Sequence, residues 1–163
     1  MRRRFIRCVL VAALSVTPLA CTDSSGTGES RSSLAGVDTD GNGVRDDVDA
    51  KVGQLTSDPA VAAYLLAVAR NTQQVVTFDP GAPDAADTAF ALASETNRLV
   101  SCPPAGIDPS RADALFEEVQ RAVANTSSRK AQLDELSALI SGRSFTAPVC
   151  GQLTPTSSVP PST

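Results

Sequence analysis

Two Asp-Pro pairs, Asp58-Pro59 and Asp108-Pro109, constrain the fold of this chain more than any other feature. An aspartate is a preferred helix N-cap, because its carboxylate accepts hydrogen bonds from the free N–H groups of the first turn, and proline is favoured at the first helical position. Each pair is followed by apolar residues at helical spacing. No stretch of alternating polar and apolar residues indicates a β-strand, so the chain is predicted to be all-α.

The predicted helices form a small bundle of about four. The helix that begins after Asp58 has apolar residues on most of its sides, which is typical of a central helix. Asn125-Thr126-Ser127 indicates either a turn or a bend, so the last two segments are either separate helices or one bent helix. The approximate bounds of the helical segments are 46–55, 58–76, 84–100, 109–123 and a last segment that ends at Ser141-Gly142.

The composition predicts one domain with a core of small apolar side chains. The 163 residues include five Phe, one Tyr and no Trp, so Ala, Leu and Val must fill the core. The net charge is −4, from 14 basic and 18 acidic residues, and four of the basic residues lie within the first seven positions. Without those four, 10 basic and 18 acidic residues remain, a net charge of −8. This balance argues against a nucleic-acid partner and against a basic membrane-binding face.

The segment from residue 38 to residue 49 has the spacing of a calcium loop. Side-chain oxygens fall at its first, third, fifth, ninth and twelfth places, and Gly43 at the sixth place allows a sharp turn. The seventh place would contribute only a backbone carbonyl. Five aspartates within twelve residues repel one another unless a cation lies among them. The alternative is a solvated Asp/Asn/Gly-rich turn that caps the next helix. The predicted Ca²⁺ ligands are Asp38, Asp40, Asn42, Val44, Asp46 and Asp49.

The loop resembles the calcium loops of thrombospondin type 3 repeats and dockerins, whose ligands follow D-x-D-x-(D/N)-G-x-x-D-x-x-D. The Ser/Gly/Thr-rich residues 22–36 before it predict a disordered tether rather than a long helix, so a complete helix-loop-helix EF-hand is not expected. Asp49 is shorter than the glutamate usual at the twelfth place of an EF-hand, which predicts weaker binding, with a Kd of roughly 0.1–1 mM. A single, one-sided loop that ends in Asp49 is poorly suited to opening a helix pair as a sensor does, so a structural ion is predicted.

The chain contains no histidine. This excludes a Ser-His-Asp or Cys-His catalytic set and argues against a zinc or iron site. Asp84, Asp87 and Glu95 share one predicted helix but have no partner set, so a solvated helix face explains them better than catalysis. No catalytic residue is predicted, and the protein is not expected to be an enzyme.

The N-terminus has the layout of an export signal, with a basic segment over residues 1–7 and an apolar segment over residues 9–16. Pro18-Leu19-Ala20-Cys21 resembles a bacterial lipobox. This resemblance implies that residues 1–21 form a lipoprotein signal and that Cys21 is lipidated. With Thr22 rather than aspartate next to that cysteine, it implies a cell-envelope protein anchored by acyl chains in the outer membrane. The alternative is an ordinary cleaved signal that contains Cys21.

If Cys8 leaves with the signal and Cys21 carries lipid, Cys102 and Cys150 remain. In an exported protein, a single remaining pair is expected to form a disulfide. A redox role is disfavoured, because catalytic cysteines usually lie close in sequence, as in C-x-x-C. Residues 37–150 are thus predicted to form the calcium loop and helical domain, followed by a disordered Pro/Ser/Thr-rich tail over residues 151–163.

Two polar groups outside the loop are also candidates for function. Asn125, Thr126 and Arg129 lie between two predicted helices, and Asn97 and Arg98 precede Cys102 in the sequence. Helix capping and surface solvation are the favoured explanation for both groups. The alternative is a binding site near the disulfide.

The arrangement resembles a group of bacterial exported proteins that combine such a loop with a helical domain. Residues 42–50, the N-T-x-x-R segment at Asn125–Arg129 and the late Cys150 carry this resemblance. It implies the architecture and no particular activity. The resulting hypothesis is a calcium-binding envelope lipoprotein without catalytic activity. The second hypothesis is a helical adaptor for an envelope protein or glycan, and an envelope hydrolase has the least support.

Overall fold

The computed structural model describes residues 31–150, and this part of the chain is entirely helical. The predicted all-α fold is confirmed. The predicted signal, the lipidation site Cys21, most of the tether and the tail lie outside the described residues. The helices are α1 (Arg31–Ala35), α2 (Asp46–Leu55), α3 (Pro59–Thr77), α4 (Ala85–Ser101), α5 (Pro109–Val123) and α6 (Ser127–Leu139).

The described part contains six helices rather than about four. One reason is that the chain breaks fully at Thr126, whose hydroxyl accepts a hydrogen bond from the Arg129 N–H and caps α6. The two Asp-Pro pairs cap as predicted: Asp58 accepts from the N–H groups of Ala60 and Val61, and Asp108 accepts from the N–H of Arg111.

Helix α3 is central, as its sequence predicts, and it packs against each of the other five helices described. Its buried residues include Leu65, Val68 and Val76, which lie with Val119 and Val123 of α5 in the main core. A smaller core joins the end of α3 to α4 and α6. The core consists mainly of Val, Leu and Ala, as the composition predicts.

The first helix corrects the predicted extent of the tether, which the composition extends to residue 36. Residues 31–35 are helical, and the Leu34 side chain is 5 % exposed. The Arg129 guanidinium donates hydrogen bonds to the carbonyls of Ser33 and Leu34, and the Gln73 amide donates to the carbonyl of Ala35. A segment whose composition predicts disorder is therefore ordered at its end by side chains that lie far away in the sequence.

After α6 the chain returns along α4. Arg143 donates a hydrogen bond to the Ala86 carbonyl and lies over the ring of Phe90, which also stacks on Phe145 with ring centroids 5.1 Å apart. The return ends at Cys150, which forms a disulfide with Cys102 at the end of α4. This is the pairing expected from the sequence. None of the helices between residues 31 and 150 is long and apolar enough to cross a membrane.

Candidate metal centre

The segment from Asp38 to Asp49 folds as a tight loop over residues 38–45, followed by the first turn of α2. Gly41 and Gly43 have positive φ angles of 70° and 83°, a conformation that glycine adopts at little cost. The side chain of Val44 is fully buried in the main core, so the middle of the loop is anchored to the helices. Gly43 therefore provides the turn predicted for the sixth place.

Three of the predicted ligands lie together at the protein surface. Carboxylate oxygens of Asp38, Asp40 and Asp46 lie within 4.8 Å of one another, and all three residues are exposed. Like charges at this separation repel, and a divalent cation placed among them would reverse the sign of the interaction. Asp46 lies in the first turn of α2, where the helix dipole also favours negative charge. The helix terminus thus offsets part of the repulsion.

Backbone N–H groups of the loop hold the Asp38 carboxylate in place. The N–H of Asn42 donates to Asp38 Oδ1 at 3.2 Å, and the N–H of Gly43 donates to Oδ2 at 2.9 Å. The Asn42 N–H also lies 3.2 Å from Asp40 Oδ1. Two of the three carboxylates are therefore oriented by the fold of the loop before any ion binds.

Asn42 connects the fourth aspartate to this group. Its Nδ2 donates hydrogen bonds to Asp40 Oδ2 at 3.0 Å and to Asp49 Oδ2 at 2.7 Å, while its Oδ1 accepts from the Val44 N–H at 2.7 Å. The two Nδ2 hydrogens carry partial positive charge and lie between the carboxylates of Asp40 and Asp49. They therefore offset part of the repulsion that a bound cation would offset in full. Asn42 Oδ1 keeps a second lone pair beside the hydrogen bond from Val44, so it can also coordinate an ion.

Thr39 holds the carboxylate of Asp46. Its hydroxyl donates to Asp46 Oδ2 at 2.6 Å and its N–H donates to Oδ1 at 2.8 Å. These hydrogen bonds, the hydroxyl first, lower the pKa of Asp46 below its ordinary value of 3.8, against smaller opposing effects of desolvation and of Asp47. Each carboxylate oxygen keeps a further lone pair beside its hydrogen bond, so Asp46 can bind an ion directly or through water, as is common at the ninth place of calcium loops.

Thr39→Val tests this contact directly. Loss of the hydroxyl is expected to raise the pKa of Asp46 toward 3.8, as measured by NMR titration of carboxyl carbons in metal-free buffer. Because the folded-state pKa is depressed, the stabilisation from this contact is present above about pH 4 and is lost as the pH falls through the folded pKa. Thr77→Val removes a hydroxyl that donates to Gln73 O on α3 and serves as the control. An unchanged Asp46 pKa in Thr39→Val would contradict the assignment.

The loop is fixed to the helices by two arginines that the ligand pattern did not indicate. Arg70 of α3 donates a hydrogen bond from Nε to the Asn42 carbonyl at 2.8 Å. Arg45, in the loop, is 3 % exposed and donates from Nη1 to the Val123 carbonyl and from Nη2 to the Ala122 carbonyl, at the end of α5.

Arg45 also forms a bidentate ion pair with Asp47, with Nε 2.8 Å from Oδ1 and Nη2 2.7 Å from Oδ2. This pairing lowers the pKa of the Asp47 carboxyl. The stem of Arg45 packs on Gly36, where the methyl group of an alanine would lie 2.2 Å from Arg45 Cδ. The burial of Arg45 could not be predicted from apolar periodicity, because its neighbours in the sequence are mostly acidic and exposed. The one available sign was a basic residue within an acidic segment.

The polar cluster at Asn125–Arg129 has a structural role. Arg129 is 8 % exposed, and besides its hydrogen bonds to the first helix it donates from Nη1 to Asn125 Oδ1 at 2.6 Å. With Thr126 as the cap of α6, this cluster joins the α5–α6 turn to the N-terminal segment. The favoured explanation of capping is thus correct for Thr126, whereas Arg129 is buried rather than solvated.

The acidic residues of α4 lie in surface ion pairs. Asp87 pairs with Arg143 at 3.2 Å, and Glu95 pairs with Arg98 of the next turn. These pairs fit the solvated-face interpretation of the sequence.

Comparisons of the chain with protein-family models, with curated proteins and with solved structures give no match.

Proposed function

We propose that this protein binds Ca²⁺ in the loop from residue 38 to residue 49 and that the ion stabilises the fold without taking part in catalysis. The convergence of the Asp38, Asp40 and Asp46 carboxylates within 4.8 Å carries the proposal. Calcium prefers six to eight oxygen ligands, and an exposed set of carboxylates and carbonyls suits it better than it suits a smaller or softer ion.

The ion would complete the remaining coordination with Asn42, the Val44 carbonyl, Asp49 and water. Its effect would be to replace repulsion among carboxylates by attraction, and so to order the connection between the N-terminal segment and α2. The loop is fixed to α3 by Arg70 and to α5 by Arg45, which supports a permanent structural ion rather than a moving sensor.

The proposed location of the protein rests on its N-terminus. In this proposal it is an exported lipoprotein held in the cell envelope by lipid on Cys21, with the helical domain on a tether. The disulfide between Cys102 and Cys150 supports this placement, because such bonds persist in oxidising compartments.

Calcium titration of the full chain tests the metal site. At a free calcium concentration one hundred times Kd, binding is expected to stabilise the folded state by about 2.7 kcal/mol relative to chelator. Urea unfolding and calorimetric titration measure this stabilisation and the affinity. Magnesium, which requires tighter octahedral geometry, is expected to bind more weakly.

Asp40→Ala supplies the site-specific arm of this experiment. It is expected to abolish the calcium-dependent stabilisation, while changing the stability of the metal-free protein by only about 0.5 kcal/mol or less, as is usual at exposed positions. Asp134→Ala removes an exposed carboxylate from α6 and should leave calcium binding intact. Equal stability of the unmodified protein in calcium and in chelator, with no heat of binding, would refute the proposal.

A further inference from the structure

A cavity lies beside the disulfide, at the start of α3, whereas the loop from residue 38 to residue 49 contacts α3 farther along, at Arg70. This cavity of about 680 Å³ is bounded by the first half of α3, the end of α4 and the two segments joined by Cys102 and Cys150. This volume falls within the range of roughly 300–1,000 Å³ in which proteins hold small ligands. The cavity shares no lining residue with the loop from residue 38 to residue 49, called the acidic loop below.

The floor of the cavity is concave because one stripe of α3 consists mostly of small residues. Ala60, Ala63, Tyr64 and Ala67 fall at helical i, i+3, i+4 and i+7 spacing and face the same side. Ala60 and Ala63 are exposed although they are apolar. An apolar ligand placed on this floor would remove them from water.

The walls are also apolar. The loop from Cys102 to Ala105 contributes two prolines, and the returning chain contributes Val149 and Cys150. Val149 is 78 % exposed, the most exposed large apolar side chain between residues 33 and 150. An exposed valine at the rim of an apolar cavity favours a ligand with an apolar body over a sugar, which would need many hydrogen-bonding partners.

The lining side chains offer one charged group. The Tyr64 hydroxyl donates its hydrogen to the Leu99 carbonyl at 3.2 Å, so it has no donor left for an anionic ligand. Arg98 donates from Nε and Nη2 to Glu95, and its Nη1 makes no hydrogen bond within residues 31–150. The guanidinium therefore retains donors for an anion at the rim of an otherwise apolar site.

We propose that this cavity binds a single-chain aliphatic carboxylate, with the hydrocarbon chain on the α3 floor and the carboxylate at Arg98 Nη1. Charge complementarity selects this occupant: an apolar body fits the floor and walls, and one negative head group fits the one cationic side chain. Glu95 partly neutralises Arg98, so the contribution of the head group is smaller than that of an unpaired arginine.

Dodecanoate is the probe, titrated calorimetrically below its micelle concentration into the full chain in chelator-containing buffer. Because calcium is absent, the result does not depend on the proposed metal site. Dodecanoate is expected to bind at least tenfold more tightly than dodecyltrimethylammonium, which has the same chain and the opposite charge. Absence of dodecanoate binding, or equal affinity for both amphiphiles, would overturn the proposal.

Two variants locate the binding. Ala63→Trp fills the floor and should abolish binding, whereas Ala131→Trp places the same side chain on an exposed position of α6 and should not. Arg98→Gln should weaken dodecanoate binding about tenfold and should not weaken dodecyltrimethylammonium binding, because a positive charge is lost and Glu95 remains. Arg111→Gln at an exposed position of α5 should change neither. Unchanged dodecanoate binding in Ala63→Trp would place the ligand elsewhere and refute the assignment.

Discussion

Replacement of both Cys102 and Cys150 by serine is expected to lower the free energy of unfolding by about 4 kcal/mol. The bond joins cysteines 48 residues apart, and in the chain-entropy model its main effect is to restrict the unfolded chain. The folded state of the variant should keep its structure, because Phe145 still stacks on Phe90 and Arg143 still contacts the start of α4. The loss is therefore expected without a change in helix content.

Urea unfolding followed by circular dichroism measures this loss, with Cys8 and Cys21 replaced by serine in every variant to prevent other pairings. A decrease of about 4 kcal/mol corresponds to a shift in the urea midpoint of about 2 M for a typical small domain. The parent protein in reductant is the matched control and should have the same midpoint as the Cys102→Ser, Cys150→Ser variant. A shift below about 0.5 M would mean that the bond does not restrict the unfolded chain as proposed.

Helices α2 to α6 could be predicted because each carries local signals. The two Asp-Pro pairs mark the starts of α3 and α5 to the residue, and α2 has the predicted bounds, 46–55. The number of helices is harder to predict, since a turn and a bend at Asn125–Ser127 give the same apolar periodicity. The Thr126 hydroxyl caps α6 and so makes α5 and α6 separate helices. This hydrogen bond depends on the conformation of the turn, which apolar periodicity does not specify.

The acidic loop could be predicted only in part. Its spacing identified the glycine turn and three carboxylates that the structure brings together, Asp38, Asp40 and Asp46. The spacing did not indicate that the Asn42 amide bridges Asp40 and Asp49, or that Thr39 donates two hydrogen bonds to Asp46. These contacts depend on side-chain orientations within the folded loop, which ligand spacing does not specify.

The ordered N-terminal segment could not be predicted from its own composition. Residues 31–35 have only one large apolar side chain, Leu34, yet the carbonyls of residues 33–35 accept hydrogen bonds from Arg129, 95 or more residues away, and from Gln73, 38 residues away. Such long-range contacts leave no periodic pattern. The same limit applies to Arg45, whose partners in α5 lie 77 and 78 residues along the chain.

Arg45→Met is expected to destabilise the protein by about 3 kcal/mol, since the carbonyls of Ala122 and Val123 lose their donor and a shorter, apolar side chain replaces it. Arg45→Lys should recover only part of the loss, because an ammonium lacks the planar set of donors that reaches two carbonyls and Asp47 together. Urea unfolding measures both variants.

The pKa of Asp47 provides a readout that separates loss of these contacts from general loosening of the fold. Arg45 lowers this pKa through its hydrogen bonds, so Arg45→Met should raise it toward 3.8, whereas Arg121→Met, which removes an exposed arginine from α5, should not. Because the folded pKa of Asp47 is depressed, its contribution is present above about pH 4 and disappears as the pH falls through that pKa. At lower pH the wild type and Arg45→Met should therefore differ less, but a difference should persist, since the two carbonyls do not titrate. Identical stability of the two proteins at neutral pH would show that Arg45 does not join the acidic loop to α5.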